Sequence, residues 1–106
     1  MNNDLIMYVL VNKRLSKSQK IVQSSHAVAE FMHKNKTNIV SDWVSNHRTM
    51  VVLDVDESEL EYIIETTKLN GVYFHDSDLK YKYTAIAFEP ITRHTGKSLF
   101  NNLRLA

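Results

Sequence analysis

Four cations, Lys13, Arg14, Lys17 and Lys20, cluster where an unbroken apolar run, Leu5 to Val11, gives way to the segment LSKSQKIVQSSHA that begins at Leu15. A buried strand feeding a helix leaves the first helical turn at one edge of the sheet. Backbone N–H groups there have no partner, and the helix dipole favours anions. Side chains and backbone together would hold a phosphate or a carboxylate. Along the same segment Gln19, Gln23, His26 and Glu30 follow i, i+4, i+7, i+11 spacing, so a polar stripe leads away from that turn. The second polar concentration is His75-Asp76-Ser77-Asp78-Leu79-Lys80. Nothing else in the chain has ligand spacing to go with it, so no metal site is expected. Gly96-Lys97-Ser98 ends like a phosphate-binding loop, but the glycine that motif needs five residues earlier is replaced by Ile91.

Positioning these residues takes a strand and then a helix. Leu5 to Val11 is rich in β formers without polar alternation, the pattern of a central strand buried on both faces. Ser16 with Gln19 has the form of a capping box, with Ser18 a competing cap, and predicts a helix from 17–19 to about Lys34. Ile21, Val22, Val28, Ala29 and Met32 share one broad face of that helix, the face expected to meet the sheet, and the Gln19–Glu30 stripe lies on another. Thr37 to His47 is a shorter helical candidate, with Trp43 as a packing anchor. Met50 to Val55 reads as the second strand. Ser58 with Glu61 forms another capping box, Asp56 offers a further cap, and Gly71 is the stop signal for the helix that follows. Val72 to Phe74 and Tyr83 to Phe88 read as two more strands, antiparallel because their connection is short. Pro90 ends the last of them, and Thr92 to Leu103 is a weak helix interrupted by Gly96. The order β-α-α-β-α-β-β-α defines an α/β fold, a mixed four-stranded sheet flanked by helices, in one domain over residues 1–106.

Composition narrows the setting. At 106 residues and 43% apolar, the chain suits a single core and is too short for two. The absence of cysteine rules out disulfides and thiolate zinc sites. Its apolar runs fall far short of the roughly 20 residues that span a bilayer, and the polar start Met1-Asn2-Asn3-Asp4 is unlike a signal peptide. A cytoplasmic protein without membrane association is expected. Residues 1–50 hold seven Lys/Arg against three Asp/Glu, and residues 51–106 six against nine. That asymmetry permits a basic face toward a polyanion and equally a solvated mixed surface.

Taken together, Met7 to Leu105 resembles the second, archaeal and eukaryotic type of peptidyl-tRNA hydrolase and its short phage-borne relatives. The family pattern Lys-Gly-Lys, three residues, Gln, two residues, His-Ala is met by Lys17-Ser18-Gln19, Gln23 and His26-Ala27. Trp43, the strand Met50 to Val55, Thr84, Pro90 and the terminal Asn102-Leu103-Arg104-Leu105 also match. Ser18 replaces the family glycine and Gln19 its second lysine. The family's loop before the last strand is shortened to Asp76–Tyr83, with no counterpart placed for a threonine thought to assist in the site. Asp78 is taken as the match to the family aspartate, with Asp76 the alternative.

The resemblance implies hydrolysis of the ester joining a peptide to the terminal ribose of tRNA, without metal or organic cofactor. It implies oxyanion or phosphate contact for Lys17 with the helix N-terminus, orientation or deprotonation of water for Asp78, and proton relay or support of Asp78 for His26. Lys13, Arg14, Gln19, Lys20, Gln23 and Thr84 would contact the substrate. Lys17, His26 and Asp78 are expected to converge where the first helix starts. The expected partner is tRNA, and a homodimer is left open. Two other readings compete: a non-catalytic tRNA- or RNA-binding module of the same fold, and a protein-interaction domain using the Trp43 region.

Overall fold

The apolar run folds as β1, Leu5–Asn12, with Ile6 to Asn12 buried. A strand with no polar face cannot sit at a solvated edge, and β1 takes the middle of the sheet. This computed structural model describes residues 4–106, and the polar start read at residues 1–3 lies outside them. β2, Thr49–Val55, runs parallel to β1 from Ile6↔Thr49 to Asn12↔Val55. Parallel neighbours need a crossover, here supplied by α1, Lys17–Lys34, then α2, Asn38–Asp42, and a π-helical turn, Trp43–His47. On the other side of β1 lies β4, Ala85–Phe88, antiparallel to it, and then β3, Gly71–Phe74, antiparallel to β4 as expected from their short connection.

Alternation along β1 splits the core in two. Met7, Val9 and Val11 pack with Ala27, Phe31, Val40, Trp43, Ala85 and Ala87 beneath α1 and α2. Ile6, Tyr8 and Leu10 pack on the opposite face with Leu60 of α3, Glu57–Thr66, and Phe100 of α4, Arg93–Phe100. Trp43 is an anchor as expected: it is 6% exposed, and its indole N–H donates to the Thr49 carbonyl at 2.9 Å.

The sheet has six strands where four were expected. β5, Ile91–Thr92, pairs with β1, and β6, Arg104–Leu105, pairs with β2. Two-residue strands are too short to show a period, and only their pairing partners define them. At α3 the cap is Asp56, and neither it nor Ser58 makes a capping hydrogen bond, so the second capping box is not formed. The helix ends at Thr66, well before Gly71, which instead opens β3. A Cβ at Gly71 would lie 2.8 Å from the Phe88 ring, so this glycine serves strand packing. Gly96 does not interrupt α4 but is buried within it, where a Cβ would collide with the Tyr8 ring.

α1 begins at Lys17 and ends at Lys34, and its capping box forms in both directions between Ser16 and Gln19. Its rotation differs from the expectation. The fully buried residues are Gln23, Ala27 and Phe31, while Ile21 and Val22 are 67% and 48% exposed. Burying the Phe31 side chain contributes about 1.5–3 kcal/mol, and a buried glutamine costs little once both ends of its amide are bonded.

Candidate active site

The residue just before β4, Thr84, is fixed from both sides of its backbone. Its N–H donates to the Phe74 carbonyl at 2.9 Å and its carbonyl accepts from the Asn12 N–H at 3.0 Å, which joins the ends of β1, β3 and β4. The wholly buried Thr84 hydroxyl donates to Gln23 Oε1 at 2.6 Å, with the Phe74 carbonyl a second acceptor at 3.2 Å. With its oxygen so occupied, the Gln23 amide turns its Nε2 outward and donates to Asp76 Oδ2 at 2.8 Å. The other carboxylate oxygen, Oδ1, accepts the backbone N–H of Asp78 at 2.9 Å, and the Asp76 carbonyl accepts from the Leu79 N–H at 3.0 Å. A tight turn and a buried amide thus hold one carboxylate at both oxygens.

These contacts set its charge state. The Asp78 N–H first, and the Gln23 amide second, hold the Asp76 carboxyl below the usual carboxylate range; His26 and His75 add to this, and desolvation opposes it. Asp76 is therefore an anion throughout the neutral range. It opens on a cleft of about 230 Å3 lined by Ser18, Gln19, Val22, Gln23, Asp76 and Leu79, room for several waters at roughly 30 Å3 each. His26 lies along the same flank of α1, exposed and stacked on the Phe74 ring at 4.7 Å with a 5° interplanar angle.

The first turn of α1 supplies the opposite polarity. Ser16 Oγ accepts the Gln19 N–H at 3.2 Å and Gln19 Oε1 accepts the Ser16 N–H at 2.9 Å, which leaves the Lys17 and Ser18 amides without helical acceptors. Ser18 belongs to the Asp76 cleft, whereas Lys17 lines a separate cleft on the other flank of α1, with Lys20, Ile21, Ser24, Val52 and Ala106. Lys20 is held by both oxygens of Asp54, at 2.9 and 3.0 Å, and Lys13 pairs with Asp56 at 2.8 Å. Among the described residues, Arg14 and Lys17 form no ion pair.

Of the residues singled out in sequence, Gln19, Gln23, His26 and Thr84 gather around one carboxylate. That carboxylate is Asp76, the alternative match; Asp78 is exposed and reaches the group only through its backbone N–H. Lys17 stands on the opposite flank, so the expected single pocket is divided by α1. What sequence reasoning missed is the chain Thr84–Gln23–Asp76. Its signal was the i, i+4, i+8 series Gln23, Ala27, Phe31, a polar residue in register with two core ones.

A mixed sheet, covering helices and a polar cluster where the ends of β1 and β3 meet the start of β4 define an α/β domain. Within that class, the chain belongs to the peptidyl-tRNA hydrolase PTH2 family, whose model matches residues 5–106. No curated protein sequence matches it. Among the described residues there is no group of three His, Cys, Asp or Glu side chains that could hold a metal ion, and no helix is long and apolar enough to cross a membrane.

Proposed function

We propose that the chain hydrolyses the ester of peptidyl-tRNA, with Asp76 as the carboxylate that acts on water. The observation that carries this is the Thr84–Gln23–Asp76 chain, which aims an ionised carboxylate into a cleft at the start of α1; membership of a peptidyl-tRNA hydrolase family supports it. In this proposal the role expected of Asp78 passes to Asp76, and Asp78 positions it through its amide.

Water bound to Asp76 attacks the ester carbonyl carbon as its proton moves toward the carboxylate. The tetrahedral oxyanion faces the free amides of Lys17 and Ser18, where the helix dipole favours negative charge. Collapse breaks the bond to the ribose oxygen, which takes up the proton held by Asp76 and leaves as the free hydroxyl of tRNA, while the peptide departs as a carboxylic acid whose remaining proton, the second of the attacking water, is released to solvent. A carboxylate held below its usual range is a weak base, so Asp76 orients the water and accepts its proton only as the oxygen–carbon bond forms. His26, on the same flank of α1, adds a smaller electrostatic contribution that lowers the Asp76 pKa. Arg14 and Lys17, without acidic partners among the described residues, reach for tRNA phosphates.

The test is release of peptide from peptidyl-tRNA by purified protein. Asp76→Asn keeps the shape and removes the charge, and kcat should fall at least about a hundredfold with tRNA binding kept. Asp78→Asn keeps the backbone N–H and should cost less than about threefold. If Asp76→Asn is fully active, the assignment of the carboxylate is wrong. A wild type that binds tRNA without releasing peptide makes the domain a binding module.

A further inference from the structure

The flank of α1 turned away from Asp76 meets the outer side of β2 in a continuous groove. Its head, about 340 Å3, is lined by Lys17, Lys20, Ile21, Ser24, Val52 and Ala106. Its lower part, about 280 Å3, is lined by Ser24, Ser25, Val28, Ala29 and Met50. Ser24 belongs to both. Below the two lysines the lining is apolar or small, and Ile21 and Met50 are 67% and 40% exposed. The hydroxyls of Ser24 and Ser25 donate back to the Ile21 carbonyl, at 3.1 and 2.7 Å. Their hydrogens are therefore spent within the helix, and the groove lacks a polar selector.

One wall of this groove is the outer edge of β2, taken at Val52 by Ala106 and open at Met50. β2 is paired on this side only at its carboxyl end, through Leu53↔Leu105 and Asp54↔Arg104, and the Ala106 N–H donates to the Val52 carbonyl at 3.0 Å. Outward-facing backbone groups recur at every second residue of an antiparallel pair. The N–H and C=O of Met50 therefore point the same way as those of Val52, with no partner strand among the described residues. An extended chain can add to such an edge through its backbone alone.

We propose that this groove seats the peptide part of peptidyl-tRNA, an inference that rests on the function proposed above. From Lys17 to Ala29 the helix rises about 18 Å, which matches about five extended residues at 3.3–3.6 Å each. Two observations select this occupant. The head of the groove is the first turn of α1, the turn whose Ser18 lines the Asp76 cleft on the other flank, so a chain lying in the groove arrives at the reacting end. The lining also offers what all peptides share, backbone pairing and apolar contact. It lacks the buried hydrogen-bonding groups that would reject most sequences. The ester-bearing end sits at Lys17 and the amino-terminal side lies toward Met50.

The test compares two substrates, tRNA carrying an apolar pentapeptide and tRNA carrying one N-acetylated residue. Ile21→Asp, and separately Ala29→Trp, which fills the lower groove, should raise KM for the pentapeptide substrate about tenfold, leave kcat within twofold, and leave both constants for the short substrate within twofold. Both positions are exposed, and urea unfolding checks that the variants stay folded. Equal effects on the two substrates, or none, overturn the proposal. If the wild type hydrolyses neither, the proposed function fails, and the groove is judged by free pentapeptide instead. Shifts of the Ile21, Val52 and Met50 methyl resonances on adding peptide support it, and unchanged spectra overturn it.

Discussion

Replacing Gln23 by Leu removes the link between the buried sheet end and the site carboxylate while nearly preserving volume. Two hydrogen bonds are lost: the buried one from Thr84 Oγ1 to Gln23 Oε1 at 2.6 Å, with a net contribution of about 0.5–1.5 kcal/mol, and that from Gln23 Nε2 to Asp76 Oδ2 at 2.8 Å, whose acceptor opens on a cleft where water can replace the amide. The Thr84 hydroxyl keeps the Phe74 carbonyl, 3.2 Å away, as an acceptor, so the larger penalty of an orphaned buried hydroxyl is not incurred. Leucine also gains apolar burial, and the net loss of stability should be no more than about 1 kcal/mol, read from the urea midpoint at unchanged slope. The effect on Asp76 is of another kind. Gln23 is the second of the contacts that hold its pKa down, after the Asp78 N–H. A depressed carboxyl stabilises the fold above its unfolded pKa and ceases to do so as pH falls through its folded pKa. In the leucine variant the folded value rises toward the ordinary aspartate pKa of about 3.9. The window between the two narrows, so less stability is lost on acidification and the loss is complete at a higher pH. The same rise moves the acid limb of kcat/KM upward, and release of the carboxylate from its position should lower kcat by about tenfold to a hundredfold. NMR titration of the Asp76 carboxyl carbon beside a pH–rate profile checks both effects. An unmoved titration with an intact rate would refute the relay from Thr84 through Gln23.

Affinity for tRNA should fall steeply with salt, and Arg14→Ala or Lys17→Ala should each reduce the log–log slope by about one, as measured by filter binding across a salt series. Lys20→Ala acts differently because its ammonium is engaged by Asp54, with the two side chains only 18% and 25% exposed. It should lower stability more than Lys13→Ala, whose pair with Asp56 is more than half exposed, and urea unfolding of the two variants decides this. Gly96→Ala drives a methyl into the ring of Tyr8, which is buried and packed against Phe100. A loss of about 1–3 kcal/mol is expected, seen as a lower thermal midpoint; an unchanged midpoint would mean that α4 can move off the sheet.

Much of this protein is determined locally. An apolar run without alternation must be buried on both faces, so Leu5 to Val11 was readable as the central strand. Ser16 and Gln19 satisfy each other's backbone groups across three residues, so the start of α1 was readable to the residue. The family, the α/β class and the antiparallel pair β3–β4 follow from features of that range. Long-range partners decided the rest. Hydrophobicity placed Ile21 and Val22 against the sheet, but Phe31 and Ala27 set the rotation, and Gln23 came with them because Thr84 and Asp76, 61 and 53 residues away, satisfy its amide. Asp76 rather than Asp78 meets Gln23 because the turn at 76–79 directs the Asp78 backbone, not its side chain, toward the site. The short strands β5 and β6 exist only where β1 and β2 offer them an edge, and Gly71 and Gly96 are required by rings approaching from other elements. A pattern confined to one segment carries no information about such partners; which polar residue can be buried, and which carboxylate meets it, is decided by what the folded chain places opposite it.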